Sequence, residues 1–102
     1  MKTKRVQIIS DPGHAWAKVK IKELEKLNIA HKISEFSYMR GEYAYLEEDC
    51  DLGLYVEALR ANKIEPSFKG KGSNRSSRVR GYYRYFYKRE NAKDFIVTEE
   101  DS

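Results

Sequence analysis

Cysteine is almost missing from this chain: Cys50 stands alone among 102 residues. That excludes an internal disulfide framework and fits a reducing cytoplasm. Long apolar runs are missing as well, and nothing approaches the ~20 residues needed to span a bilayer. The short run Val6 to Ile9, interrupted by Gln7, is too brief for the apolar core of a signal peptide. Proline occurs only at Pro12 and Pro66. Pro12 pre-sets a tight turn with Gly13, and Pro66 follows the point where a helical pattern fades. Complete catalytic motifs are also lacking. Gly70-Lys71-Gly72-Ser73 resembles a fragment of a phosphate-binding loop, but neither the full GxxxxGK[ST] pattern nor its following helix is there.

Acids are absent from one long stretch. Between Pro66 and Arg89 there are eight Lys and Arg residues and no Asp or Glu; with +4 overall, the rest of the chain carries −4. Acids gather instead at Glu42 and Glu47–Asp51, and in an acidic tail over 98–102. Segregated charge points to an anionic partner for one face, or to pairing of opposite faces in a homodimer. A solvated surface explains the same runs without a partner.

The length and the 40% hydrophobic content specify one domain, 1–102, with a single modest core. Arg5–Ile9 reads as a strand, followed by a turn at Ser10–Gly13 and a second strand over His14–Val19. Ile21, Leu24 and Leu27 place a short helix in Lys20–Asn28. Lys32–Tyr38 and Glu42–Glu47 read as a hairpin turning at Gly41. Leu52, Tyr55, Val56 and Leu59 carry helical spacing, with Asp49 or Asp51 as N-cap. Ser67–Lys69 reads as a short strand, residues 69–80 as a flexible basic loop and Tyr82–Tyr87 as the last strand. Phe95–Val97 offers a further edge strand. The expected fold is α+β, a mainly antiparallel sheet with two short helices on one face.

Candidate chemistry concentrates in the basic stretch. Arg40, Lys71, Arg75, Arg78, Arg80 and Arg84 are candidate phosphate contacts, with Tyr82 or Tyr83 as a stacking surface. The partner so expected is a phosphorylated small molecule or, using the same residues, DNA or RNA. An inhibitor of a basic protein would use the acidic junction and tail instead. A small hydrolase would be built on Asp11 orienting His14, but no nucleophile motif accompanies them, and turn-stabilising roles explain both. Glu47–Asp51 suits a helix N-terminus better than a metal site, and Cys50, without a ligand-spaced partner, reads as a small buried residue. Neither a cofactor nor a metal is expected, and the chain reads as a binder rather than an enzyme.

Ser10–Trp16 (SDPGHAW), Phe36–Asp51 (FSYMRG…YLEEDCD) and Arg80–Tyr85 (RGYYRY) together resemble small phage-encoded proteins carrying SDPGHxW, SYxRGxxYLEEDCD and RGYxRY. The resemblance spans most of the chain. It implies a viral accessory protein acting in the bacterial host cytoplasm, in host takeover or anti-defence, such as sequestering a nucleotide signal. It transfers no site residue.

Overall fold

Alternation of apolar and polar residues sets the sheet, and the helices cover the apolar side. The computed structural model describes residues 2–72, 75 and 77–87. The elements run β1 (Lys2–Ser10), β2 (Ala15–Lys20), α1 (Ile21–Lys26), β3 (Tyr38–Arg40), β4 (Tyr43–Glu47), α2 (Leu52–Ala61), β5 (Ile64–Gly72) and β6 (Tyr83–Arg84), with 3₁₀ turns at 30–32 and 78–81. Six strands form one sheet in the order β5-β1-β2-β4-β3-β6. Every pairing is antiparallel except β1–β5, which is parallel. This is the α+β domain that the residue pattern predicts.

Register explains the two faces. Ile8 opposes Ala17, Ala17 opposes Leu46, and Val19 opposes Ala44, so these side chains share one side. Leu24 of α1 and Tyr55 and Leu59 of α2 close over that side as the main core. The Tyr55 hydroxyl donates to Glu23 at 2.8 Å and links the two helices. The other side begins with Trp16, Tyr38 and Tyr45. Val79 and Tyr82, from the segment after β5, pack over them as a second, smaller cluster.

Local chemistry fixes the junctions. Gly41, at φ +61°, supplies the left-handed residue between β3 and β4. Asn28 (φ 61°) and Lys63 (φ 60°) end the two helices in the same region. Ile21 N–H donates to the Glu42 carbonyl at 2.8 Å, so the unclosed start of α1 is tied to the β3–β4 turn.

Four expectations are corrected. The basic loop begins later than 69, because Lys69–Gly72 continue β5 alongside β1, and 78–81 forms a 3₁₀ turn. Residues 32–37 make no strand: Ser34 and Ser37 turn inward to Asp51, leaving only Tyr38–Arg40 to pair. The last strand shrinks to Tyr83–Arg84. Cys50 is exposed, not buried. The acidic stretch 98–102 and the Phe95–Val97 strand lie outside the described residues. No helix among the described residues is long and apolar enough to cross a membrane.

Candidate functional site

Asp11 leaves β1 at the turn and becomes the hub of the charged end of the sheet's aromatic side. Its Oδ1 accepts from the Gly13 and His14 backbone N–H groups and from Arg80 Nη2, each at 3.0 Å. Its Oδ2 accepts from Ser77 N–H at 2.9 Å and Arg80 Nε at 2.7 Å. The side chain is 1% exposed. Five donors, led by the Arg80 guanidinium and then Ser77 N–H, hold its carboxyl well below the usual carboxylate range. Asp11 therefore takes the main-chain N–H of His14, while the imidazole is held elsewhere.

That other holder is Glu47, from the end of β4. Its Oε2 lies 3.0 Å from His14 Nδ1, and its Oε1 accepts from Asp49 N–H at 2.8 Å. Asp51 sits at the N-cap position of α2, but its side chain makes no bond to the helix. Its carboxylate instead accepts from Ser34 N–H and the Ser34 and Ser37 hydroxyls, fixing the loop ahead of β3. The acidic junction thus divides into a loop-holding member, Asp51, and a histidine-holding member, Glu47.

Between these groups lies a cleft of about 330 Å³. Trp16, Phe36 and Tyr38 give it aromatic walls, and His14, Glu47, Asp49, Cys50, Arg80 and Arg84 complete the lining. Partial desolvation and the carboxylates Glu47, Asp51 and Asp49 push the Cys50 thiol up, which disfavours the thiolate. Arg80 lies 5.4 Å from the centre of the Trp16 ring, and Arg84 lies 5.0 Å from that of Tyr38. Arg80 is already neutralised by Asp11, which leaves Arg84 facing the charges of Glu47 and Asp49. On balance the cleft is acidic and does not suit a bare phosphate.

The cations collect lower on the same side of the sheet. Register places Arg5 and Gln7 of β1, Lys18 and Lys20 of β2, Tyr43 of β4, Arg40 of β3, and Ser67 and Lys69 of β5 on one surface. No described α-helix covers it. A shallow hollow of about 310 Å³ is lined by Arg5, Gln7, Lys18, Lys20 and Tyr43, together with Lys4, Val19 and Glu23. Lys18 Nζ sits 4.3 Å over the Tyr43 ring, and Arg40 lies 5.2 Å from that of Tyr82. The acids on this side of the strands are Glu47, at the far end, and Glu65, which is paired with Arg60.

The sequence-derived contacts thus scatter. Arg40 and Tyr82 meet, and Arg84 stands at the cleft; Tyr83 is 78% exposed beside it in β6. Arg75 and Arg78 are exposed, Arg80 is bound to Asp11, and Lys71 pairs through its backbone with Ile9 in β5. Arg5, Lys18, Lys20 and Lys69 were not among those candidates. Their signal was there: the alternation Trp16, Lys18, Lys20, set against Arg5 and Gln7 by the hairpin. Comparison with family models, curated proteins and solved structures returns no match for this chain.

Proposed function

We propose that this protein binds single-stranded nucleic acid along the side of its sheet that no described α-helix covers. The observation that carries the reading is the run of Arg5, Lys18, Lys20, Arg40 and Lys69 on one uncovered surface, interleaved with Tyr43 and bordered by Tyr82. Neighbouring strands stand ~4.8 Å apart and same-face residues on a strand ~6.7 Å apart. A grid of cations at those spacings follows a flexible phosphate backbone, while tyrosine rings take bases by stacking. A phosphorylated small molecule would engage only part of this surface. Its alternative seat, the cleft, is acidic.

The resemblance to phage-encoded proteins supports a viral accessory role in the host cytoplasm, with the bound strand as the point of interference. Binding rather than chemistry is the function assigned to this surface. Fluorescence anisotropy with a labelled oligonucleotide of mixed sequence tests it. Competition by unlabelled oligonucleotide, but not by an equal nucleotide concentration of mononucleotides, is expected. Equal competition by the mononucleotides would return the function to a small phosphorylated ligand.

A further inference from the structure

We propose that His14, Glu48 and Asp49, with Glu47 orienting the imidazole, form a divalent-cation site at the mouth of the aromatic cleft, and that the cation takes a phosphate-class oxyanion as its outer ligand. The inference stands apart from the nucleic-acid reading, because none of these residues belongs to the cationic surface. The sequence alone shows adjacent acids at a helix start. Folding adds a histidine from 33 positions away, and one ligand atom from each of the four residues lies within 4.8 Å of the others.

The donor set suits a cation. The contact between His14 Nδ1 and Glu47 Oε2, at 3.0 Å, assigns the proton to Nδ1 when the carboxylate is ionised. The Nε2 lone pair is then left for a metal, and Glu47, held by His14 Nδ1 and Asp49 N–H, orients the histidine rather than ligating. Asp49 and Glu48 are exposed and bring two further carboxylates. An imidazole with carboxylates, partly open to water, suits Mn²⁺ and related divalent ions better than the thiolate-preferring ones.

A second, independent observation points to the outer ligand. Trp16 is 1% exposed, walls the same cleft, and its indole N–H is the buried side-chain polar atom without a partner among the described residues. Indole donates and never accepts, so an oxygen acceptor would complete it. Its ring centre lies 6.1 Å from that of His14. Arg84 also lines the cleft, donating at 3.4 Å to the Glu35 carbonyl beside its contact with Tyr38, and would share the same oxyanion. A bound cation offsets the acidic charge that otherwise repels phosphate from this cleft.

The test uses the full chain and Mn²⁺ as the probe. Trp16 is the sole tryptophan, so paramagnetic quenching of its emission reports on the cleft itself, and calorimetry counts the ions. One Mn²⁺ per chain is expected, with strong quenching. His14→Ala and Asp49→Asn, both at exposed positions and checked for folding by circular dichroism, should each weaken binding by about 10-fold or more. Inorganic phosphate should then alter Trp16 emission in the presence of Mn²⁺ and leave it unchanged without the ion. Absent Mn²⁺ binding, or binding that neither substitution weakens, overturns the cation site. A phosphate response independent of Mn²⁺ overturns the oxyanion half.

Discussion

Removing Arg5, Lys18 and Lys20 together, each replaced by Gln, should flatten the salt dependence of nucleic-acid binding without unfolding the protein. The five strand-borne cations of the open side, Arg5, Lys18, Lys20, Arg40 and Lys69, set the magnitude. If each neutralises one phosphate of a single strand, the slope of log K against log salt is about −3.5. Affinity then falls about 100-fold between ~50 and ~200 mM salt. With three cations gone, two remain, the slope becomes about −1.4, and the same change in salt costs only about 7-fold. Stability should change little. Arg5 and Lys20 are exposed, and the Lys18 contact with Tyr43 contributes about 0.5–1 kcal/mol. Anisotropy titrations at four salt concentrations, paired with urea melts of both proteins, measure the two quantities. A wild-type slope shallower than −1, or an unchanged slope in a folded triple variant, would refute the surface as the binding site.

Asp11→Asn should destabilise the protein in a pH-dependent way. The folded pKa of Asp11 lies below its ordinary value of 3.8, so its ionised pairing contributes fully above about pH 5 and is lost as pH falls. The gap in melting temperature between wild type and variant should hold from neutral pH down to about pH 5 and narrow below that; a gap independent of pH would show that ionisation is irrelevant there. Lys63→Gly should stabilise by about 1 kcal/mol, because Lys63 holds a left-handed backbone at φ 60° that glycine adopts without steric cost. Urea unfolding measures it, and a loss of stability would count against the strain. Tyr85→Phe should cost about 1–2 kcal/mol in the same assay, since its buried hydroxyl donates to the Ala30 carbonyl at 2.6 Å; no change would mean that water replaces the bond.

Element order could be read from the chain because it rests on local signals: the Pro12-Gly13 turn, Gly41, and the helical spacing of Leu52, Tyr55 and Leu59. What escaped depends on partners distant in sequence. Asp11 and Arg80 are 69 positions apart, and nothing near either residue announces the other. Arg80 therefore reads as an available cation when it is the structural clasp of the turn. Most of β5 was hidden for a different reason, since only Ser67–Lys69 of it reads as a strand. An edge strand needs one neighbour's backbone, not an apolar pattern, and Lys69-Gly70-Lys71-Gly72 supplies backbone while its composition suggests a loop. At residues 32–37 the spacing of Ile33 and Phe36 fits a strand, but the two serines bonding Asp51 give the backbone an alternative. The candidate site divided likewise: the cationic residues are in plain view, but the hairpin register is what gathers Arg5 with Lys18 and Lys20.

The parallel seam between β1 and β5 favours an order of assembly. Each paired residue of β1 finds its partner 62 positions later, from Lys2 with Ile64 to Ser10 with Gly72. Closing a loop of that length costs about 3.7 kcal/mol in its length-dependent part, against about 1.2 kcal/mol for the four-residue turn joining β1 to β2. Loop closure therefore favours the hairpin forming before β5 pairs with β1. Until then the outer edge of β1, rich in backbone donors and acceptors, is open to any passing strand. Lys2, Lys4 and Arg5 on β1 give that waiting edge a repulsive charge towards its own kind. The same positive charge that draws an anion to the finished protein can thus keep unfinished copies apart while the last strand is on its way.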